Sequence, residues 1–99
     1  MPDPRIFPIE HVNDTFATVG AVSTQVLTAN LNRVDCDFTN DGDEDCYLAR
    51  GNAAVIGSGI KLVPNGTYHM GTNNLFYGVI YAICASGQLN LCISEGYLP

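Results

Sequence analysis

The chain has 99 residues, of which 46% are apolar and 14% are charged, and its formal net charge at pH 7 is −6. One small domain of this length can bury a single core. The four basic residues form no cluster, which argues against binding to nucleic acid or to an anionic membrane, because both need grouped Lys and Arg. The charged fraction is below the usual value of about 25%, so part of the surface is expected to contact other proteins.

Residues 1–14 are predicted to form an extended N-terminal arm. Three prolines lie within the first eight residues, and proline fixes φ and keeps its predecessor extended. The segment lacks the continuous apolar run of a secretory signal peptide. We expect the arm either to fold back on its own domain or to lie on a neighbouring subunit. Its predicted contact residues are Arg5, Ile6, Phe7 and Pro8.

Residues 15–99 are predicted to form the folded domain, built from about seven or eight short strands. Alternating or β-branched stretches are separated by Gly, Pro, Asn and Asp, which is typical of strands and turns. The stretches are 15–19, 22–27, 33–38, 46–49, 60–63 and 67–70, with two more inside 77–94. No stretch of ten residues has helical periodicity with caps. The class is therefore all-β, a single antiparallel β-sandwich that is either jelly-roll-like or immunoglobulin-like.

The most regular alternation lies in residues 77–94, on both sides of Ser86-Gly87-Gln88. It predicts a β-hairpin with one face toward the core. The core face comprises Tyr81, Ile83, Leu89, Leu91 and Ile93. The other face is too apolar for open water, so we expect the arm or a neighbouring subunit to cover it. Its predicted partner-binding residues are Ile80, Ala82, Cys84 and Cys92.

Residues 33–38 predict a half-buried strand followed by an acidic loop. Strict alternation points Val34, Cys36 and Phe38 inward, and it points Arg33, Asp35 and Asp37 outward. The loop at 41–45 contains an Asp-Gly turn and leads to the return strand at 46–49. It is either a solvated hairpin tip or a cation site, although it lacks the EF-hand pattern.

The four cysteines are Cys36, Cys46, Cys84 and Cys92, and none has the CxxC spacing of a zinc site. We predict mostly buried thiols, with a Cys36–Cys46 disulfide as the alternative if their strands form a hairpin. The two histidines belong to no nucleophile-elbow or Cys–His signature. The sequence therefore predicts no catalytic residue, no metal site and no cofactor, and a protein that is not an enzyme.

The strands and turns between residues 27 and 95 follow one another in a specific pattern. It is carried by Asn32-Arg33, Tyr47-Leu48, Gly51, Ala54, residues 59–62, 66–68, 75–77, 81–83, Ser86-Gly87, residues 89–91 and Glu95. This pattern resembles small β-rich virion proteins of tailed bacteriophages, which serve as capsid decoration (cement) proteins or head fibres. Neither the arm nor the cysteines belong to the pattern.

The resemblance implies a non-enzymatic structural protein on the outer capsid surface of a virion, assembled in the host cytoplasm. Its implied partners are the major capsid protein and further copies of itself, as a dimer or trimer that braces the shell. The alternative is a receptor- or carbohydrate-binding module of a head or tail fibre. The five Tyr and four Phe residues leave that alternative open, because aromatic faces can stack on sugar rings.

Overall fold

The computed structural model describes residues 11–85 and 88–98, in which the chain forms eight strands and no helix. The strands are β1 (His11–Val19), β2 (Thr24–Leu27), β3 (Arg33–Asn40), β4 (Cys46–Arg50), β5 (Ile60–Leu62), β6 (Thr67–Met70), β7 (Ile80–Cys84) and β8 (Leu89–Tyr97). They form two four-stranded sheets, sheet A in the order β1-β8-β3-β6 and sheet B in the order β2-β7-β4-β5. All of the strand pairs are antiparallel. The predicted all-β class and β-sandwich are confirmed.

The strand pairing is that of one long ribbon folded back on itself. Strand β4 pairs with β5, β3 with β6, β2 with β7 and β1 with β8. The ribbon doubles back in residues 51–59, where Gly51, Gly57 and Gly59 adopt positive φ, a conformation that other residues reach only with strain. Wrapping the ribbon adds the pairs β3–β8 and β4–β7. Of the two predicted sandwich types, this arrangement is the jelly roll.

The predicted hairpin in residues 77–94 is wrong, although both of its strands exist. Strand β7 belongs to sheet B and β8 to sheet A, so the chain crosses from one sheet to the other between them. Residues 86 and 87 of the predicted turn lie outside the described residues. Strand β8 pairs instead with β1 and β3, and β7 pairs with β2 and β4. A short Gly-containing link fits a change of sheet as well as a hairpin.

The change of sheet also reverses the predicted faces of β7. Ile80, Ala82 and Cys84 are buried in the core, so their prediction as partner-binding surface residues is wrong. Tyr81 and Ile83 alternate with them and point to the outer side of sheet B, although Ile83 is only 9% exposed. The prediction derives the inward face of β7 from its register with β8 in a hairpin. Strands in different sheets have no common register, so the inward face of β7 does not follow from that of β8.

The predicted inward face of β8 is confirmed. Leu89, Leu91 and Ile93 are all buried between the sheets. They alternate with residues on the outer side of sheet A, and Cys92 among these is exposed. Strand β8 lies between β1 and β3, so its inner face is the middle of the layer that sheet A contributes to the core.

Strand β3 departs from the predicted alternation at its first residues. Cys36 and Phe38 face the core as predicted, but Arg33, predicted to point outward, is 1% exposed. The register of β3 on β8 shifts between Arg33 and Asp35. Such a bulge adds an unpaired residue and reverses the alternation beyond it. The outward prediction for Arg33 is therefore wrong because the bulge was not visible in the pattern.

Each nitrogen of the buried Arg33 guanidinium donates a hydrogen bond. Its Nε donates to Glu95 Oε2 on β8 at 2.6 Å, and Glu95 is 7% exposed. Its Nη1 donates to the Phe76 carbonyl at 2.6 Å, and its Nη2 donates to the Thr28 carbonyl at 2.5 Å. The ion pair thus joins β3 to β8, and the other donors tie two loops to the end of sheet A.

Three cysteines lie in the core. Cys36, Cys46 and Cys84 are fully buried, whereas Cys92 is exposed. Cys36 lies in sheet A and Cys46 in sheet B, so the alternative Cys36–Cys46 disulfide has no hairpin to bridge and its premise is wrong. Burial raises the pKa of Cys36 and that of Cys46 to about 12, because a thiolate in the core loses its hydration.

Removing the Arg33 side of the ion pair should strongly destabilise the fold. Arg33→Met leaves the Glu95 carboxylate buried without its cation, and we expect the free energy of unfolding to fall by about 3–5 kcal/mol. Urea unfolding measures the loss. The matched control is Arg50→Met, at an exposed arginine, with an expected change within about 0.5 kcal/mol. Similar losses for both variants would contradict the structural role of the ion pair.

The raised thiol pKa values of Cys36 and Cys46 predict instability at alkaline pH. Between the ordinary thiol value of 9.0 and about 12, the unfolded chain binds fewer protons than the folded chain. The free energy of unfolding therefore falls as pH rises, by up to about 1.4 kcal/mol per pH unit for each thiol. Urea unfolding at about pH 8 and about pH 10 measures this decline.

In the Cys46→Ala variant the free energy of unfolding should fall less steeply with rising pH, because one of the two buried thiols is missing. The Cys92→Ala variant changes an exposed thiol and should decline as steeply as the parent chain. Because each variant differs from the parent chain at a single cysteine, the difference between their slopes isolates the contribution of the buried thiol. Equal slopes for the parent chain and Cys46→Ala would contradict the prediction.

Candidate interaction surface

Within residues 11–85 and 88–98, strand β1 has an open edge. Strand β8 pairs with one side of β1, and no other strand in residues 11–85 and 88–98 pairs with its opposite side. The nine residues of β1 include no Pro, Lys or Arg, which are common devices against edge-to-edge pairing. Residues 11–16 are exposed on both faces of the strand. Such an edge can accept a further strand from another chain.

The predicted boundary between arm and domain falls inside β1. The prediction puts that boundary after residue 14, whereas β1 begins at His11. His11 is opposite Tyr97 and Asp14 is opposite Ser94 in the ladder with β8, and the His11 and Tyr97 rings stack at 5.3 Å. Residues 11–14 therefore belong to sheet A. The predicted contact residues Arg5, Ile6, Phe7 and Pro8 lie outside the described residues.

The outer face of sheet A carries two rows of side chains that cross all four strands. The first row consists of Asp14, Ser94, Asp37 and His69, and the second of Phe16, Cys92, Thr39 and Thr67. Each row follows directly from the strand register, because directly opposite residues share a face. We call these eight residues the outer face of sheet A.

The first row is polar and internally paired. Ser94 Oγ donates to Asp14 Oδ1 at 2.6 Å, and His69 Nδ1 contacts Asp37 Oδ1 at 2.5 Å. The hydroxyl and the imidazole thus contact different carboxylates. A Ser–His–carboxylate relay needs the imidazole between the hydroxyl and the carboxylate, and this row has a different order. The row instead presents two exposed aspartate-centred pairs.

The second row is apolar at the β1 end. The Phe16 side chain is 66% exposed and lies beside the exposed Cys92. Val12, two positions from Asp14 on the same side of β1, is 56% exposed. At the other end of the row the Thr39 and Thr67 hydroxyls are 3.2 Å apart. An aromatic side chain in the middle of an open edge strand is a feature of protein contact surfaces.

Of the four predicted partner-binding residues that the structure describes, only Cys92 lies on this surface. It is exposed on the predicted side of β8, beside Phe16 of a strand that the prediction did not consider. Phe16 and Val12 were missed. Alternation alone leaves their direction open, and the full burial of Val19 decides it, because even-numbered positions of β1 then point away from the core.

The acidic loop at 41–45 is shaped by a buried amide. Asn40 Nδ2 donates to the Glu44 carbonyl at 2.7 Å and to the Leu62 carbonyl at 2.9 Å, and Asn40 Oδ1 accepts from the Gly42 N–H. Within the part of the chain that the structure describes, no three His, Cys, Asp or Glu side chains converge as metal ligands. The loop conformation is therefore set by Asn40.

A cavity of about 340 Å³ opens beside the turn between β4 and β5. Its polar side chains come from Arg50, Asn52 and Ser58, and no aromatic residue is among the described residues that line it. It could admit a small polar molecule. It offers no ring on which a sugar could stack.

Comparison with protein-family models, with curated proteins and with solved structures gave no match. In residues 11–85 and 88–98 there is no helix long and apolar enough to cross a membrane.

Changing Phe16 should leave the domain folded. Because Phe16 is mostly exposed, Phe16→Glu is expected to change the free energy of unfolding by less than about 1 kcal/mol. Leu91→Ala, at a fully buried position on β8, the strand next to β1, should cost about 2–5 kcal/mol. Urea unfolding of both variants checks this contrast. A loss of several kcal/mol for Phe16→Glu would show that Phe16 belongs to the core.

Proposed function

We propose that this chain is a non-enzymatic structural protein of a phage particle. In this role it binds the capsid shell as a decoration (cement) protein and stabilises it through contacts between subunits. The observation that carries the proposal is the open edge of β1 with the exposed Phe16 at its centre. Jelly rolls occur in viral capsid and lectin domains. Because a fold alone does not determine function, the surface and the strand pattern support the proposal together.

The first partner is a second copy of the chain, paired through β1. In an antiparallel pair centred on Phe16, the two Phe16 rings lie opposite each other, and Asp14 of one copy faces Thr18 of the other. A pair centred on Asp14 would place two carboxylates opposite each other, which is unfavourable. The Phe16 register avoids this repulsion. It joins two four-stranded sheets A into one continuous sheet about a twofold axis.

The second partner is the shell protein, which meets the outer face of sheet A. This face presents the Asp14 and Asp37 carboxylates, both in exposed pairs. The net charge of −6 adds to their negative potential. The shell surface that fits this face has basic groups opposite the two aspartates and an apolar recess near Phe16. Complementary charge of this kind sets specificity and association rate.

The second candidate function is a receptor- or carbohydrate-binding module of a head or tail fibre. The cavity beside the β4–β5 turn favours it, because Arg50, Asn52 and Ser58 supply polar groups for a small ligand. Its lack of aromatic lining weakens the case for sugar, since stacking on rings contributes much of sugar recognition. The cavity also lies at the end of the ribbon away from the β1 edge, so the two candidate functions involve different binding residues.

The test is to purify particles of the virus that encodes the chain and to quantify the chain by mass spectrometry. A decoration protein should be present in a ratio near that of the major shell protein. A few copies per particle would favour the fibre module, and absence from particles would overturn both candidates. Stripped particles, mixed with purified chain and sedimented, then measure binding directly.

Variants at two exposed apolar positions make the binding test specific. Phe16→Glu should reduce particle binding at least tenfold, and it should convert the dimer to a monomer in analytical ultracentrifugation, because it places carboxylates opposite each other across β1. Leu31→Glu is the matched control, since Leu31 is 85% exposed and lies in the loop between β2 and β3. If both variants bind and dimerise like the parent chain, β1 is not the contact surface.

A further inference from the structure

Two buried cysteines lie directly opposite each other in sheet B. Cys46 of β4 and Cys84 of β7 are register partners, and both are fully buried in the main core cluster. They are 38 positions apart in the sequence (84 minus 46), and nothing in their local sequence indicates that they meet. The wrapping of the ribbon brings them together, because it adds the β4–β7 pair.

The backbone geometry identifies which kind of cross-strand pair they form. The Cys84 N–H donates to the Gly20 carbonyl at 2.9 Å, so it points to the side of β7 away from β4. In an antiparallel strand the N–H and C=O of one residue point to the same side. Toward β4, therefore, Cys46 and Cys84 are a non-hydrogen-bonded pair. Such pairs have Cα atoms about 4.5 Å apart and closer side chains, within the range of about 4.4–6.8 Å that a disulfide spans.

We propose that Cys46 and Cys84 are a disulfide site, at which the chain acquires a covalent link between β4 and β7 when it folds in an oxidising environment. This inference is independent of the proposed function. The other two cysteines do not compete for the site. Cys36 is opposite Met70 and Glu95 in sheet A, and Cys92 is on the outer face of that sheet.

The chemistry is thiol–disulfide exchange with a small disulfide such as oxidised glutathione. The thiolate of one cysteine attacks a glutathione sulfur, which forms a mixed disulfide and releases one glutathione thiolate. The second cysteine thiolate then attacks the protein sulfur of the mixed disulfide and releases the second glutathione. The protein loses two S–H bonds and gains one S–S bond, and the two electrons and two protons end on two reduced glutathione molecules.

Burial determines when this exchange occurs. The pKa of Cys46 is about 12 in the folded core, so very little of the reactive thiolate is present there at neutral pH. The core also keeps glutathione from the sulfur. The link should therefore form while sheet B is still open during folding, and the folded, reduced chain should react slowly.

The experiment is to unfold the full chain in urea with reductant, and then to refold it in a buffer of reduced and oxidised glutathione. The monomer mass should fall by about 2 Da relative to the reduced chain, and proteolysis should yield one linked pair of peptides that contains Cys46 and Cys84. The linked chain should keep the circular dichroism of the reduced chain. Its unfolding equilibrium constant should be on the order of 10²–10³-fold smaller.

Matched alanine variants identify the bond. Cys36→Ala removes an equally buried thiol and should still lose about 2 Da, whereas Cys46→Ala should not. Peptide mapping of the parent chain gives the same answer if either variant fails to fold. The proposal is overturned if the refolded parent chain keeps its reduced mass, if Cys36 or Cys92 occurs in the linked peptides, or if the linked chain loses the native spectrum.

Discussion

Strand β8 pairs on both sides, with β1 and with β3, and this double pairing constrains the rest of the molecule. Its inner face buries Leu89, Leu91 and Ile93, which form the middle of the core layer of sheet A. At the far end of the strand, Glu95 holds the buried guanidinium of Arg33. That ion pair replaces hydrophobic contact where the sandwich ends. Its remaining donors satisfy loop carbonyls, so the charge is buried with its hydrogen bonds made.

The same pairing explains why the candidate surface is where it is. Because β8 uses both of its edges, β1 becomes the outermost strand, and its free edge and outer side chains face away from the core. Phe16 is exposed because its side chain lies on the outer face of this strand, although its residue type suits a core. The jelly roll thus separates two regions, the β1 edge with the outer face of sheet A and the cavity beside the β4–β5 turn. The proposed decoration role uses the first, and the alternative module would use the second.

Local sequence patterns predicted the class and the strands because both depend on short-range physics. Alternation with a period of two located β7 and β8 and the inward face of β8. Turn residues separated the strands, and the absence of helical periodicity indicated an all-β chain. The candidate site was predicted less well. Cys92 was assigned to an exposed side, whereas Ile80, Ala82 and Cys84 were assigned to a surface and lie in the core.

By itself, then, the sequence determined the all-β class, the approximate strand positions and the low surface charge. Only the tertiary structure decided which strands pair. Every extended segment offers the same backbone N–H and C=O groups, so the hydrogen-bond ladder itself does not select a partner strand. That choice turned a predicted hairpin into a change of sheet and placed Cys46 opposite Cys84. It also introduced the bulge after Arg33, which reversed the alternation and turned a predicted surface charge into the buried partner of Glu95.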